Sequence, residues 1–297
     1  MTTSMRTSKR TAKRTAKRPA KTAVRATVAL ALAGALCAVC LNAAEAGQDL
    51  PDGSAAHQPR SANSPLLNID YKDGSLNSGI PGLTTTHATA PDASSVARSG
   101  DDYAITHKVT LGDAGYESDG APRSESATND VPQGVFHVGD ERRYEFRVLL
   151  KGWKTYEAGD SESGDIIFQG KHAGGNLPSF YLMTKRNSIA FRSPTLGLQA
   201  DVVADFRTYV DQWMTFRVDV RWTDDRTGFY RISTRMPGEP EFTLRKTYEK
   251  VRTFHPKNPT EFGYLKWGLY RPGQSIGNGD VRTRVVQHDD VRVSRTP

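Results

Sequence analysis

The chain has 297 residues and carries 40 Lys and Arg against 33 Asp and Glu, a net charge of +7. Residues 1–46 hold nine of the basic residues and one acid, so residues 47–297 have a net charge of −1 and give no support for nucleic-acid binding. Both cysteines, Cys37 and Cys40, also lie in residues 1–46, which excludes a disulfide, a Cys nucleophile or a thiolate metal site from the remainder.

The first predicted element is a secretory signal peptide at residues 1–46. A basic segment ends at Arg25, an apolar run covers residues 26–41, and Ala44-Glu45-Ala46 fits a small-residue cleavage site before Gly47. A single membrane-anchoring helix is the alternative, but the apolar run is shorter than the roughly 20 residues that span a bilayer. We therefore expect an exported protein, periplasmic or extracellular, with no stable membrane insertion after cleavage.

Residues 47–64 are polar and rich in turn formers, which predicts a disordered linker, and the folded domain is expected at residues 65–297. Within that domain, residues 84–101 are interpreted as a long surface loop and residues 247–251 as a short helical turn. Most of the remaining sequence consists of short segments with strand-forming residues, each bounded by Gly, Pro, Asn or Asp. Strands are expected at residues 104–111, 143–150, 165–169, 180–184, 188–192, 213–222, 228–236, 264–270 and 281–293.

Many short strands joined by turns are typical of a two-sheet antiparallel sandwich. No segment has a long helical period, and no internal repeat indicates a second domain. The sequence therefore predicts an all-β protein, and we expect it to be a monomer.

The most informative segment is the predicted strand at residues 264–270. Side chains alternate between the two faces of a strand. One face is apolar and carries Leu265, Trp267 and Leu269. The opposite face is polar and carries Tyr264, Lys266 and Tyr270, with Gly268 as a gap between them. A proton donor, a cation and room for a ligand ring indicate the floor of a groove, although an ordinary solvated face would have the same pattern.

Two further segments place polar groups next to predicted strands. Gln169 can donate hydrogen bonds to a carboxylate, and His172 can act as a base near neutral pH. Arg123 presents a planar fork that suits a carboxylate, and Glu125 could hold that fork in place. The ordinary alternatives are a polar strand end for the first segment and a surface ion pair for the second.

No metal site or cofactor is predicted. Calcium could bind the paired aspartates, but such pairs are usually turn residues; they are Asp224-Asp225 and Asp289-Asp290. The spacing of acidic residues does not indicate the two opposed carboxylates of a glycoside hydrolase. The fingerprints of zinc proteases, P-loop proteins, serine hydrolases and dinucleotide-binding proteins do not occur.

Three segments together resemble the jelly-roll polysaccharide lyases. They are Arg123-Ser124-Glu125, the apolar strand that leads into Gln169 and His172, and the Tyr-x-Lys-x-Gly-x-Tyr pattern of residues 264–270. The chain is similar to the heparinase-I-like and glucuronan-lyase-like group and, more distantly, to alginate lyases with a Gln-x-His motif. The resemblance covers about residues 65–295.

This resemblance implies a β-jelly-roll fold of the concanavalin-like type. It also implies an acidic polysaccharide as partner and cleavage of a 4-linked uronic acid by β-elimination. A glucuronan-like polymer is expected first, and alginate or a heparin-like chain next. The alternative from another class is a non-catalytic jelly roll that binds acidic polysaccharides.

The resemblance also implies roles for individual residues. Gln169 and Arg123 would neutralise the substrate carboxylate. His172 would remove the C5 proton while Tyr270 protonates the departing O4, or Tyr270 would act as both base and acid. The substrate-binding side chains would be Lys266, Tyr264, Lys171, Arg271 and Glu125.

One spacing differs from the alginate-lyase motif. Gln169 and His172 are three residues apart here, where that motif has them two apart. A regular strand would point them to opposite faces. A bulge at Gly170 would bring them back together, and otherwise Lys171 takes the position of the base.

Overall fold

Two antiparallel β-sheets of eight strands each form the fold. The computed structural model describes residues 65–175 and 177–297, so the predicted signal peptide and linker, residues 1–46 and 47–64, lie outside the described residues. The paired sheets confirm the predicted all-β jelly-roll. In the described part of the chain, no helix has the length and apolar character needed to cross a membrane.

In the described residues, the strands are connected by loops and four short 3₁₀ turns. In chain order they are β1 (Leu67–Ile69), β2 (Ser94–Ser99), β3 (Asp102–Thr110), β4 (Glu117–Ser118), β5 (Ala121–Ala127), β6 (Val135–Phe136), β7 (Glu141–Leu150), β8 (Asp165–His172), β9 (Phe180–Lys185), β10 (Ser188–Ser193), β11 (Leu198–Val203), β12 (Met214–Arg221), β13 (Gly228–Arg235), β14 (Thr243–Val251), β15 (Gly263–Tyr270) and β16 (Thr283–Ser294). The 3₁₀ turns are Ala114–Tyr116, Pro132–Gly134, Arg207–Tyr209 and Ile276–Asn278.

In both sheets, several neighbouring strands are far apart in the sequence. The first, sheet A, runs β14-β13-β12-β7-β16-β3-β2, with β1 also paired to β16. The second, sheet B, runs β11-β10-β9-β8-β15-β5-β4, with β6 also paired to β15. The strand with the predicted polar face, β15, therefore lies inside sheet B between β8 and β5.

The hydrophobic core lies between the sheets and is rich in aromatic rings. Phe146 of β7 stacks on Phe168 of β8 with 3.9 Å between ring centroids, so this pair joins the two sheets directly. Phe136 and Trp222 stack in the same way at 3.7 Å. Buried aromatic pairs of this kind stabilise a sandwich beyond the area that they bury.

Strand β15 supplies part of this core. Its apolar side chains are fully buried, as the alternation predicted; they are Leu265, Trp267 and Leu269. The indole nitrogen of Trp267 donates a hydrogen bond of 3.0 Å to the hydroxyl of the buried Tyr71. One face of β15 is thereby fixed in the interior, and the other must point away from it.

All nine predicted strands occur, but two other expectations are wrong. The predicted loop at residues 84–101 contains β2, and the predicted helical turn at residues 247–251 is the end of β14. Both are edge strands with many exposed side chains, so they lack the apolar alternation that identifies a half-buried strand. Exposed charge is common on edge strands because it prevents pairing with other chains.

Candidate functional site

The polar face of β15 continues onto β8. Side chains directly opposite each other on neighbouring strands point to the same face of a sheet. Tyr264 lies opposite Lys171, and Lys266 lies opposite Gln169. The register therefore brings these four side chains together on the face of sheet B that points away from the core.

Strand β5 extends the same face on the other side of β15. Tyr270 lies opposite Arg123, and Gly268 lies opposite Glu125. The guanidinium carbon of Arg123 is 4.1 Å from the centroid of the Tyr270 ring, a cation–π contact. Arg123 and Glu125 thus join the predicted set, although β5 itself was not among the predicted strands.

Two cavities open on this face, and together we call them the groove. The first has a volume of about 330 Å³ and is lined by His87, Asp119, Glu125 and Tyr264, among others. The second has a volume of about 270 Å³ and is lined by Gln169, Lys171, Leu177, Tyr181 and Tyr270, among others. Arg123 and Lys266 line both cavities, so the two adjoin at these cations.

The Glu125 carboxylate organises the centre of the groove. Its side chain is only 3% exposed, and it accepts a hydrogen bond of 2.7 Å from the Lys266 ammonium. Its other oxygen accepts one of 2.6 Å from the Gln169 amide nitrogen. Arg123 lies 3.9 Å away. Since a buried carboxylate needs such partners, Glu125 holds the Lys266 and Gln169 side chains in place.

Positive charge dominates the groove. Desolvation lowers the pKa of the Lys171 ammonium from its usual value, and the nearby charges of Lys266 and Arg123 lower it further. Burial raises the pKa of the Tyr264 hydroxyl, and the Glu125 carboxylate adds to that effect. Three basic side chains surrounding one buried carboxylate make a site that favours an anionic ligand.

Gly268 does not leave an open gap on the groove floor, as the sequence suggested. Its φ is +138°, and a Cβ there would lie 2.4 Å from the carbonyl oxygen of Ser124 and 2.8 Å from the Cα of Glu125. The register between β15 and β8 also shifts between Trp267 and Tyr270. Glycine is therefore required because the β5 backbone approaches β15 closely here.

His172 points to the interior and not to the groove, which corrects the expectation that it is the base. It lies opposite Gly263, its ring centroid is 4.7 Å from that of Phe254, and its Nε2 is hydrogen-bonded to the Ser179 hydroxyl. Desolvation lowers its pKa to about 4. The register passes through Gly170 without a shift, so the strand stays regular and Lys171 takes the groove position.

Arg271 is also placed away from the groove. Its side chain is 1% exposed and forms a 2.9 Å ion pair with Asp165. It donates further hydrogen bonds to Gln274 and to the backbone carbonyls of Val281 and Arg282. The guanidinium connects β8 to the loop before β16. Its N–H donors are occupied by these partners, so the expectation that Arg271 binds substrate is wrong.

His87 is a groove residue that the sequence analysis did not identify. An isolated bridge between Thr84 and Ala127 places this segment beside β5, and the exposed His87 side chain lines the first cavity together with Asn129. Nothing in the local sequence distinguishes this histidine. Only the long-range pairing of residue 84 with β5 brings it to the groove.

The described residues contain no group of three or more His, Cys, Asp or Glu side chains that could hold a metal ion. The paired aspartates have other partners. Asp225 accepts hydrogen bonds from Thr223 and Thr227, and Asp289 pairs with Arg147 at 3.2 Å.

Comparison with known proteins identifies the family. The model of the polysaccharide lyase family matches residues 61–292, and the chain belongs to this family. It is therefore a lyase that acts on a polysaccharide. No curated protein matches the chain in sequence.

Solved structures of lyases have the same fold. An endo-β-1,4-glucuronan lyase from the fungus Trichoderma reesei superimposes with a TM-score of 0.53 and 18% identity, over 78% of this chain and 96% of that one. A family 14 alginate lyase from Aplysia kurodai superimposes with a TM-score of 0.54 and 11% identity, over 78% of this chain and 100% of that one. At these identities the likeness concerns the fold alone.

Proposed function

We propose that the protein is an exported lyase that cleaves a 4-linked, glucuronan-like polyuronate by β-elimination. The observation that carries this proposal is the groove itself, where Tyr270, Arg123, Lys171 and Lys266 line one cavity. Lys266 is held there by the Glu125 carboxylate, and Arg123 packs on the Tyr270 ring. A phenol among fixed cations suits a polymer that carries a carboxylate on each sugar. The similar solved structures include lyases of glucuronan and of alginate, which supports a uronic-acid polymer.

Elimination removes the C5 proton, forms a double bond between C4 and C5, and breaks the C4–O4 bond. The C5 proton is only weakly acidic until the charge of the adjacent carboxylate is neutralised. Arg123 and Lys266 line both cavities and would pair with that carboxylate. The Gln169 amide donates one of its two hydrogens to Glu125 and can donate the other to the substrate. Such fixed donors stabilise the developing enolate-like anion.

Two side chains would transfer the protons. Tyr270 donates its phenolic proton to the departing O4, and the Arg123 guanidinium packs on its ring at 4.1 Å and holds the ring in place. His87 accepts the C5 proton, because imidazole is a base near neutral pH and this one lines the cavity beside Arg123 and Lys266. Each positioned proton transfer accelerates such a reaction by roughly 10²–10⁴-fold.

The experiment is incubation of the purified protein with polyglucuronate, alginate and heparin-like chains. A lyase leaves an unsaturated uronate, whose absorbance near the ultraviolet edge should rise with time. Tyr270→Phe should lower the rate by at least about 10²-fold while polymer binding and the melting temperature persist. Tyr103→Phe, a half-buried tyrosine outside the groove, is the matched control and should keep full activity.

The outcomes separate the candidate functions. Binding without any rise in absorbance would refute the lyase and favour a non-catalytic binding protein. New reducing ends without absorbance would indicate hydrolysis.

Export rests on the signal features of residues 1–46. A tagged full-length protein should appear outside the cytoplasm of a bacterial host, whereas a form without residues 2–46 should stay inside. We also propose that the protein acts as a monomer, which size-exclusion chromatography with light scattering would check.

A further inference from the structure

The groove face continues across sheet B beyond the second cavity. Lys266 lies opposite Gln169, Gln169 opposite Tyr181, Tyr181 opposite Arg192, and Arg192 opposite Gln199. Side chains paired in this way share one face. They therefore form a row that crosses five strands, from β15 to the edge strand β11, and we call it the transverse row.

Arg192 is the basic residue of this row farthest from Lys266. It is half-buried, between the buried Phe191 and Ser193, so its side chain is confined to the outer face. Its partner Tyr181 lines the second cavity, and so does Pro194, two residues further along the chain. Arg192 thus lies at the border of that cavity.

The Arg192 guanidinium has no carboxylate partner among the described residues. Its Nε is buried without a hydrogen-bond partner, as is the Nε of Arg123. The Arg123 guanidinium, however, lies 3.7 Å from Asp119 and 3.9 Å from Glu125. A half-buried guanidinium without a counter-charge is costly, and a planar carboxylate would pair with its two terminal nitrogens in a bidentate manner.

We propose that Arg192 binds the carboxylate of a second uronate residue of the same polymer chain. This inference rests on the proposed function, because it takes the occupant of the groove to be a polyuronate. Neighbouring strands are about 4.8 Å apart, so Arg192 lies roughly 10 Å from Gln169 along the transverse row. A polymer that follows this row passes over the Tyr181 ring and presents a later carboxylate at Arg192.

This placement makes affinity depend on the length of the bound oligomer. An oligosaccharide too short to reach β10 gains nothing from Arg192. Affinity should therefore increase in a step when the oligomer becomes long enough.

The test measures binding of glucuronate oligomers of increasing length by calorimetry. All proteins carry Tyr270→Phe so that the ligand stays intact. The parent should show a step in affinity of about tenfold or more at one length, the gain from one charge-assisted bidentate contact. Adding Arg192→Gln should remove that step. Adding Arg231→Gln, an exposed arginine on sheet A that pairs with Glu249, should preserve it.

Two results would overturn the inference. One is a step of the same size with Arg192→Gln, and the other is a parent protein whose affinity does not depend on length. Carboxyl-reduced oligomers should show no step in any protein. Failure of the lyase assay with the unmodified protein would refute the elimination chemistry alone, because these binding data do not depend on turnover.

Discussion

Glu125 is the residue on which the geometry of the groove depends. Its carboxylate is buried, yet it lies in a site that must attract an anionic polymer. Lys266 and Gln169 occupy its two oxygens, so its charge is largely compensated before any ligand arrives. We interpret Glu125 as a positioning residue, whose removal would free the Lys266 ammonium and the Gln169 amide to move.

Glu125→Gln tests this interpretation. The amide keeps the shape of the side chain but leaves the half-buried Lys266 without its counter-charge, which should lower the free energy of unfolding by about 2 kcal/mol. The value of kcat/KM should fall at least tenfold because the donors lose their alignment. Urea denaturation and the absorbance assay measure both effects. The control Glu249→Gln, on the exposed edge of sheet A, should change neither.

Substitution of His87 and substitution of His172 should have opposite effects on activity and on stability. His87→Asn should lower the elimination rate by about 10² or more with an unchanged melting temperature, because the side chain is exposed in the groove. His172→Gln should lower the melting temperature, because the buried ring packs on Phe254, while the folded enzyme remains active. An active His87→Asn variant would remove this residue from the mechanism.

At the scale of the strands, the sequence could predict those in which apolar and polar side chains alternate. The buried face of β15 follows directly from its apolar residues, and the regular register of β8 places Lys171 outward and His172 inward. The spacing of residues 169 and 172 favours Lys171 at the groove position, whereas the resemblance to the Gln-x-His motif favours His172. The spacing was the better guide, because the side-chain direction in a regular strand depends on position and not on residue type.

Strand β5 shows why part of the site could not be predicted. Its inward side chains include Ser124 and Ser126, which are bonded to the two ring nitrogens of the buried His107 at 2.9 and 3.2 Å. Serines supply no apolar alternation, so the segment Ala121–Ala127 does not read as a strand. The place of His87 in the groove could not be predicted for a related reason. It depends on the pairing of residue 84 with β5, which the sequence does not indicate.

Gly268 gives a prediction at this scale. Gly268→Ala would force a Cβ against the carbonyl of Ser124 and require an unfavourable φ, so it should destabilise the fold by about 2–4 kcal/mol. Gly277→Ala is the control, because the atom nearest to its Cβ would be the Ser275 hydroxyl at 3.7 Å. Equal melting temperatures for the two variants would contradict the role given to Gly268.

For the whole molecule, buried histidines predict sensitivity to acid. Burial lowers the pKa of His107 to about 3 and that of His172 to about 4, and it lowers the pKa of His288 well below the usual value. The unfolded chain binds these protons near pH 6.5 and the folded one does not, so stability falls as the pH drops below that value. Each such group contributes up to about 1.4 kcal/mol per pH unit.

Asp289 acts in the opposite direction. Burial and the Asp290 charge raise its pKa to about 7, so acidification from there to its ordinary value favours the folded state. The three histidines together change the free energy of unfolding more than the single carboxyl group does. The free energy of unfolding in urea should therefore fall by roughly 1–3 kcal/mol per pH unit between about pH 6 and pH 4.

A variant pair identifies the source of this slope. His107→Gln can keep the hydrogen bonds to Ser124 and Ser126 while it removes one titrating group, so the pH dependence should become shallower. His137→Gln, at an exposed position, should leave the slope unchanged. A slope that is the same in both variants would assign acid sensitivity to other groups.

The rim of the groove offers a way to observe polymer binding without cleavage. Leu177 is 54% exposed and lines the second cavity, and residues 47–297 contain no cysteine. Leu177→Cys would therefore create a single thiol at this rim, to which an environment-sensitive fluorophore could be attached with no competing reaction. Its emission would report each docking event optically, and stopped-flow mixing would then resolve arrival of the polysaccharide from the bond-breaking step.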